Sequence, residues 1–273
     1  MADVAVRVAE EAADLIRRAR DAMVAGERVL VETKSSDTDV VTAVDRASEE
    51  LIRRRLAELR PGDPVLGEEG GGPRTPVDAA GTGEPDGAVT WVVDPIDGTV
   101  NFLYGSPVFA VSVAAQVAGV SLAGAVVEPV SRRCWTAVRG EGSWLDGRRL
   151  RVSRPERLEL SLLGTGFSYD AVRRTRQARL IDGMLGRVRD VRRTGSGALD
   201  LCAVAAGWTD AYLEHGLHRW DWAAGALIAA EAGATVSLPG EDPELGVDAT
   251  FAAAPAIAAP LREAFIAGGV REV

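Results

Sequence analysis

Cysteine, histidine and lysine are all scarce in this chain of 273 residues, which has two cysteines, two histidines and a single lysine. Two thiols cannot form the disulfide framework of a small secreted domain, so the sequence predicts a protein of the reducing cytoplasm. His215 and His218 lie close together, but zinc usually takes three or four nitrogen or sulfur ligands. The sequence supplies no such set, and we interpret both histidines as loop or rim residues.

Long apolar runs and excess positive charge are also missing. No apolar stretch approaches the roughly 20 residues that a membrane helix needs, and the N-terminus is acidic and amphipathic, unlike a signal peptide. The formal net charge of −9 argues against nucleic-acid binding, which needs a basic face. A serine nucleophile elbow and a Gly-rich nucleotide fingerprint are absent too, so acyl transfer and dinucleotide binding are unsupported.

The first half of the chain has the pattern of an α+β unit. Apolar residues recur near the helical period over residues 3–25, and a second helical pattern begins at Asp45 and is stopped by Pro61-Gly62. β-rich runs separated by turn residues then predict an antiparallel meander. These runs are Phe109–Val117, Ser121–Val127 and Cys134–Val138.

The second half alternates strand and helix patterns, which is typical of a layered α/β unit with a mostly parallel sheet. Strands are predicted at Leu160–Gly164, Val188–Arg192 and Thr209–Leu213. We therefore expect an α/β fold with a seam near Arg154-Pro155. The seam divides the chain into residues 1–154 and residues 155–273, which could equally count as one continuous domain.

The segment from Trp91 to Phe102 is the strongest candidate for a functional site. An apolar run typical of a buried strand leads directly into Asp94 and Asp97, at the strand end where ligands collect in α/β sheets. Gly98 lets the backbone come close to a ligand. Two acids with no basic residue beside them repel each other unless a cation joins them. A surface turn explains the same residue types, so both interpretations stay open at this point.

Other polar residues occupy similar positions, each with an ordinary explanation. Glu214 ends a predicted strand. Asp221 starts a predicted helix, where the helix dipole alone favours an acid, and the same is true of Asp45. The amides that follow Ser196 could bind an anion or a hydroxyl, or Ser196 could be a simple N-cap. Lys34 could be a solvated loop charge.

Asp94-Pro95-Ile96-Asp97-Gly98-Thr99 resembles a signature of the inositol monophosphatase family of magnesium-dependent, lithium-sensitive phosphatases. Trp220–Gly225 resembles a second signature of that family. Gly67-Glu68-Glu69 and Asp39–Thr42, followed by Asp45, are smaller matches in the same order. The resemblance covers nearly the whole chain, and it implies a layered α-β-α-β-α fold like that of the sugar phosphatases.

The resemblance also implies two or three Mg²⁺ ions, with Mn²⁺ as an alternative. Glu68, Asp94 and the carbonyl of Ile96 would hold the first ion. Asp94, Asp97 and Asp221 would hold the second, and a third would share Glu68 with water. Such an all-oxygen, all-anionic set suits these hard cations.

Further roles follow from the same resemblance. Thr99 and Glu68 would orient the attacking water, and Asp45 would form a hydrogen bond with Thr99. The amides of Gly98 and Thr99 would bind phosphate oxygens, and Lys34 would lie near the phosphate.

On the side of the leaving group, Glu214 and the turn Gly195-Ser196-Gly197 match positions that contact inositol hydroxyls, together with Asp97 and Asp221. We therefore expect a small phosphate ester as substrate, with inositol-1-phosphate or a related polyol or sugar phosphate favoured. Histidinol phosphate, fructose-1,6-bisphosphate and 3′-phosphoadenosine 5′-phosphate, which relatives hydrolyse, stay as alternatives. A non-catalytic protein that binds a divalent cation is the alternative from another class. A homodimer is expected from the resemblance alone.

Overall fold

The computed structural model describes residues 1–27, 30–33, 40–72 and 87–273. In these ranges it has seven α-helices and fourteen β-strands. The helices are α1 (Ala2–Val24), α2 (Ala43–Leu59), α3 (Thr99–Leu103), α4 (Ala171–Leu185), α5 (Gly197–Ala205), α6 (Arg219–Glu231) and α7 (Pro255–Ala267). The strands are β1 (Val31–Thr33), β2 (Val40–Thr42), β3 (Val65–Gly67), β4 (Val89–Asp97), β5 (Ala110–Val117), β6 (Val120–Val127), β7 (Cys134–Val138), β8 (Gly142–Leu145), β9 (Arg148–Arg149), β10 (Leu162–Thr165), β11 (Asp190–Arg192), β12 (Ala211–His215), β13 (Thr235–Ser237) and β14 (Ala249–Ala253).

The larger sheet has seven strands in the order β3-β4-β5-β6-β7-β8-β9. β3 and β4 are parallel, and every other neighbouring pair is antiparallel. The predicted meander is therefore confirmed, with boundaries that agree within one residue. Strand β4 is apolar at successive positions because helices cover both faces of the sheet. Val93 packs among residues of α1 and α2, whereas Val92 packs among residues of α5 and α6.

The smaller sheet packs on the far side of α5 and α6, and α4 and α7 cover its outer face. The chain therefore forms five layers in the order α-β-α-β-α, as predicted. One continuous apolar core joins the two sheets through the middle helices, where Val92 of the larger sheet and Tyr212 of the smaller sheet belong to the same cluster. A Cβ at Gly225 would lie 3.0 Å from Ala198 O, so the glycine permits the close approach of α6 to α5.

The prediction of a mostly parallel sheet in the second half is wrong. The strand order is β11-β10-β12-β14-β13. Two of its four neighbouring pairs are parallel, namely β10 with β11 and β10 with β12. Strand β14 enters between β12 and β13 and is antiparallel to both. The alternating strand and helix pattern ends at α6, so it carries no information about these two last strands.

The predicted seam at Arg154-Pro155 falls in the irregular segment between β9 and β10. The division into two halves stays a prediction, because the core of the middle layer is shared by both sheets. No helix in the described ranges has the length and apolarity needed to cross a bilayer. Lys34 and residues 73–86 lie outside the described residues.

Candidate active site

Three aspartates from distant parts of the chain meet at the end of β4. Asp94 and Asp97 belong to this strand, and Asp221 comes from the first turn of α6. One carboxylate oxygen of each residue lies within 4.8 Å of the other two. Separations of this size let a single cation, or two neighbouring cations, contact all three side chains.

Strand β4 is irregular between its two aspartates. The register with β5 shifts between Asp94 and Asp97, around Pro95, which has no amide donor for the ladder. The Ile96 amide donates instead to Asp94 Oδ1 at 3.0 Å. Gly98 follows with a φ of 98°, and a Cβ there would lie 3.1 Å from Val108 O. The chain can leave the strand and start α3 at this point only with glycine.

Asp97 is held by the N-terminus of α5, which belongs to the middle layer. Its carboxylate accepts hydrogen bonds from Ser196 Oγ at 2.5 Å, from the Ala198 amide at 2.7 Å and from the Gly197 amide at 3.3 Å. Ser196 Oγ also accepts from the Leu199 amide at 3.4 Å. Ser196 is therefore an N-cap, and the anion at this helix start is Asp97. Burial raises the pKa of Asp97 to about 6, although the three hydrogen bonds favour its charged form.

The other acids increase each other's pKa. Burial raises the pKa of Asp94 well above its ordinary value, and the charges of Glu68, Asp97 and Asp221 raise it further. Glu68 lies beside Asp94, because Gly67 pairs with Val93 in the parallel ladder of β3 and β4. The pKa of Asp221 is likewise raised, first by burial and then by Asp97 and Glu68, while the His218 amide donates to it at 2.6 Å.

These acids fit hard divalent cations. All donors are oxygens, and Asp94 and Asp97 are only 1% and 7% exposed. Buried carboxylates so close together are costly unless protons or cations neutralise them. Mg²⁺ and Mn²⁺ prefer oxygen donors of this kind. The residues present therefore suit the metal that the sequence predicted.

Asp45 and Thr99 form a buried pair beside the aspartates. Thr99 Oγ1 lies 2.8 Å from Asp45 Oδ1 and 3.0 Å from the Ile96 carbonyl oxygen. Asp45 also closes the capping box of α2 by accepting a hydrogen bond from the Thr42 amide at 2.9 Å. Asp45 therefore both caps the first turn of α2 and contacts Thr99.

The opposite wall of the cavity contains Glu214, whose side chain fills the space that a larger residue at position 166 would occupy. A Cβ at Gly166 would lie 1.8 Å from Glu214 Oε2. The Tyr212 hydroxyl donates a hydrogen bond to the same oxygen. Burial raises the pKa of Glu214 to about 7, against the opposing effects of Tyr212 and of the Arg193 charge.

The acids and Glu214 line one cavity of about 420 Å³. Glu68, Ile96, Gly98, Thr99, Gly195 and Gly197 also line it, whereas Ser196 is 1% exposed and directs its hydroxyl at Asp97. The structure thus assembles most of the predicted site residues around one space. Lys34, which was also predicted for the site, lies outside the described residues.

The interpretation of both histidines as loop or rim residues is wrong for His215. This residue lies on β12, is 4% exposed, and its Nε2 lies 2.8 Å from Leu245 O. The error arose because β12 extends two residues beyond the predicted strand end. His218 does lie at the rim, before α6, where its ring stacks on Trp220 with centroids 4.9 Å apart.

Two residues close to the site were not predicted from the sequence. Tyr212, which contacts Glu214, is an ordinary buried aromatic of a strand by pattern alone. Glu49 is 3% exposed and bonds to the segment that carries Glu68. The helical spacing of four between Asp45 and Glu49 is a signal that could have identified Glu49, because it places both acids on one face of α2.

Comparison with known proteins places this geometry in a family. The model of the inositol monophosphatase family matches residues 1–268. An inositol-1-monophosphatase of Mycobacterium leprae is 57% identical over 233 residues, which cover 84% of this chain and 78% of that protein. The structure of Mycobacterium tuberculosis SuhB superposes with a TM-score of 0.79 at 44% identity and covers 99% of this chain and 97% of that one.

A further relative carries a different name. A protein of Pseudomonas aeruginosa named Nus factor SuhB is 41% identical over 244 residues, which cover 87% of this chain and 84% of that protein. The family match extends over almost the whole sequence and includes every acid of the cavity. The chain belongs to the inositol monophosphatase family.

Proposed function

We propose that this protein is a Mg²⁺-dependent phosphate monoester hydrolase that acts on inositol-1-phosphate or a related polyol or sugar phosphate. The observation that carries the proposal is the convergence of Asp94, Asp97 and Asp221 on a cavity whose other wall presents Glu214. The names of the relatives agree with it. The relative at 57% identity is named a phosphatase, whereas the one named a Nus factor is 41% identical.

The acid cluster would hold the cations. Glu68, Asp94 and the Ile96 carbonyl would hold one ion, and Asp94, Asp97 and Asp221 would hold another, with Mn²⁺ as an alternative to Mg²⁺. Bound divalent ions supply charge neutralisation for the phosphate and lower the pKa of a bound water. The protein contributes a fixed cradle, because β4 and α5 hold Asp97 from two sides.

Thr99 and Asp45 would orient the attacking water. The Thr99 hydroxyl has one proton and two neighbouring acceptors, Asp45 Oδ1 and the Ile96 carbonyl oxygen. When the proton points at Asp45, a lone pair of Thr99 Oγ1 can accept a hydrogen bond from water. Asp45 is 0% exposed, so this orientation is maintained by a rigid partner.

Glu214 would recognise hydroxyl groups of the alcohol that leaves. Its carboxylate is anchored by Tyr212, and the same oxygen packs against Gly166. A polyol could donate hydrogen bonds to the acceptor positions of Glu214 that Tyr212 does not occupy, whereas an ester without hydroxyls could not. This contact favours inositol-1-phosphate over simple phosphate esters.

Parallel turnover assays test the proposal. We would compare inositol-1-phosphate with histidinol phosphate, fructose-1,6-bisphosphate and 3′-phosphoadenosine 5′-phosphate, each with Mg²⁺ and with a chelator. We expect the highest kcat/KM for inositol-1-phosphate and no release of phosphate after chelation. Tight Ca²⁺ binding without phosphate release from any ester in Mg²⁺ would instead indicate a non-catalytic cation-binding protein.

A homodimer is a separate part of the proposal, and the resemblance to the family is its only support. Analytical ultracentrifugation would measure the mass in solution. We expect twice the 28.7 kDa of the chain. A species at the monomer mass across micromolar concentrations would contradict the dimer and leave the proposed chemistry untouched.

A further inference from the structure

Glu49 lies on α2, four residues after Asp45, and binds the backbone of the segment that carries Glu68. Its Oε2 accepts a hydrogen bond from the Glu69 amide at 2.7 Å, and its Oε1 accepts one from the Gly70 amide at 2.8 Å. The side chain is 3% exposed. A buried carboxylate that receives two amides fixes the backbone on the C-terminal side of Glu68.

Arg53 completes this arrangement one turn further along α2. Its Nε donates to Glu49 Oε1 at 2.7 Å, and Nη1 donates to Val65 O at 3.1 Å. Nη2 donates to Gly71 O. Glu49 thus binds amides and Arg53 binds carbonyls of one short segment, so the pair holds residues 65–71 from a single helix.

The sequence of the segment makes room for this pair. A Cβ at Gly67 would lie 2.6 Å from the Glu49 carboxylate, and a Cβ at Gly70 would lie 2.6 Å from Glu49 Oε1 and 2.9 Å from Arg53 Nη2. Glu68 is thereby flanked on both sides by positions where Glu49 excludes a side chain.

The same helix reaches the active site at a second point. Asp45, Glu49 and Arg53 are spaced by four residues and lie along one face of α2. Asp45 contacts Thr99, whereas Glu49 contacts the segment of Glu68. The two groups predicted to orient the attacking water are therefore both supported by one rigid element.

We infer that Glu49 is a positioning residue that holds Glu68 against Asp94 and so sets the affinity of the site for divalent cations. The inference rests on the proposed function, because it assigns Glu68 to the cation site. Gly67 pairs with Val93 in the parallel ladder of β3 and β4, so Glu68 and Asp94 follow side by side, and a small displacement of the segment changes the distance between two acidic donors. Residues outside the immediate ligands are known to fix ligand orientation, and their loss weakens metal binding.

The test uses the full-length protein and Mg²⁺ alone. Glu49→Gln keeps the shape of the side chain but replaces one carboxylate oxygen by an NH₂ group, which cannot accept from an amide. Glu50→Gln is the matched control, because Glu50 is the next residue of α2 and is exposed. We expect isothermal titration calorimetry without substrate to show a dissociation constant for Mg²⁺ raised roughly 10- to 100-fold in Glu49→Gln and unchanged in the control.

A double-mutant cycle separates positioning from a general structural role. If Glu49 acts through Glu68, adding Glu49→Gln to a Glu68→Gln background leaves the Mg²⁺ dissociation constant of the single Glu68 variant nearly unchanged. Arg53→Lys is the second variant in case Glu49→Gln does not fold, since lysine lacks the planar fork that serves three acceptors. We expect Arg53→Lys to weaken Mg²⁺ binding less than Glu49→Gln does.

The outcomes are distinct. A folded Glu49→Gln variant with a lower melting temperature but unchanged Mg²⁺ affinity would overturn the inference, and so would additive effects in the cycle. Either result would leave the proposed function standing if the parent protein binds Mg²⁺ and hydrolyses inositol-1-phosphate. Failure of the parent protein to bind Mg²⁺ would remove the proposed function, and the inference with it.

Discussion

The two walls of the cavity are both acidic, but they differ in how the protein compensates their charge. On one wall, burial raises the pKa of Asp94 and of Asp221, and the charges of Glu68 and Asp97 raise both further. On the other wall, Glu214 receives the Tyr212 hydroxyl and feels the charge of Arg193, both of which oppose the effect of burial. The second wall thus has the Arg193 charge to oppose the effect of burial, whereas the acids of the first wall accept the backbone amides of Ile96 and His218 and would gain most from a bound cation.

Asp97 lies between these extremes and shows why the difference matters. Three hydrogen bonds from α5 hold its carboxylate, yet burial still raises its pKa to about 6. Backbone amides therefore orient an acid without removing its need for a counter-charge. Under the proposed function, the first wall acts in catalysis and the second wall selects the alcohol.

The largest effect is expected for Asp94→Asn. We predict a fall in kcat of at least ~100-fold, as typically follows loss of a key electrostatic group. The metal-free variant should also have a higher melting temperature than the metal-free parent at about pH 8, because the change removes a buried charge with a raised pKa. Steady-state kinetics with saturating Mg²⁺ and calorimetry would measure both.

Asp190→Asn is the control, since Asp190 is a surface acid of β11 with a side chain that is 54% exposed. Near-normal turnover in Asp94→Asn, with folding and Mg²⁺ saturation verified, would contradict the assignment.

The next prediction concerns pH. The pKa of Asp97 is about 6 and that of Glu214 about 7, both above the ordinary values of about 4 in an unfolded chain. Between about pH 4 and pH 7, the folded state therefore binds more protons than the unfolded chain. The free energy of unfolding of the metal-free protein should then fall as the pH rises from about 5 to about 8.

Mg²⁺ should offset part of this loss. At 100 times its dissociation constant, a ligand adds about 2.7 kcal/mol to the free energy of unfolding. The gain should be larger at pH 8 than at pH 5, where protons compete for the same oxygens. Melting temperatures measured at both pH values with Mg²⁺ and with a chelator would show it, and an equal gain at both would be inconsistent with raised pKa values in the cluster.

A smaller effect is expected on the second wall. Glu214→Gln should lower kcat/KM for inositol-1-phosphate roughly 10-fold or more, because a hydrogen bond to a charged group contributes about 1.5–3 kcal/mol. For p-nitrophenyl phosphate, which has no hydroxyls on its leaving group, the change should be much smaller. Similar losses for both esters would mean that Glu214 supports the fold of the site and not its selectivity.

The smallest effect is expected for Tyr212→Phe. Loss of the hydroxyl removes a hydrogen bond that lowers the pKa of Glu214, so this pKa should increase further. In the pH profile of kcat/KM for inositol-1-phosphate, the limb that reports ionisation of Glu214 should move to higher pH, with only a few-fold change at the maximum. Tyr104→Phe, at an 87% exposed position, is the control. An unshifted profile would show that the Tyr212 hydroxyl does not set the pKa of Glu214.

Local patterns predicted the elements that depend on neighbouring residues. The apolar run before Asp94 gave a buried strand, and the helical period of α1 and α2 gave their extents within about two residues. The five layers and the grouping of Asp94, Asp97 and Asp221 came from the resemblance to a family, because no spacing within the chain shows that residue 221 lies beside residue 94.

The features that were missed depend on contacts across layers. Strand β14 lies between β12 and β13 and is antiparallel to both. The sequence pattern predicted a strand near β12 but none at β13 or β14, so it could not show this pairing. Burial of His215 follows from the extension of β12 and from the Leu245 carbonyl, 30 residues away. The contact of Ser196 with Asp97 spans 99 residues, and a sequence motif shows Ser196 only as a helix cap.

The attachment of Asp97 to α5 also limits how the enzyme can exchange product for substrate. Separation of the larger sheet from the middle helices would break all three charge-assisted bonds to this carboxylate. Residues 169, 170, 216 and 218 are exposed parts of the cavity lining, so exchange past this rim leaves the layers together. A catalytic cycle of this kind needs no rigid-body movement of one layer against another.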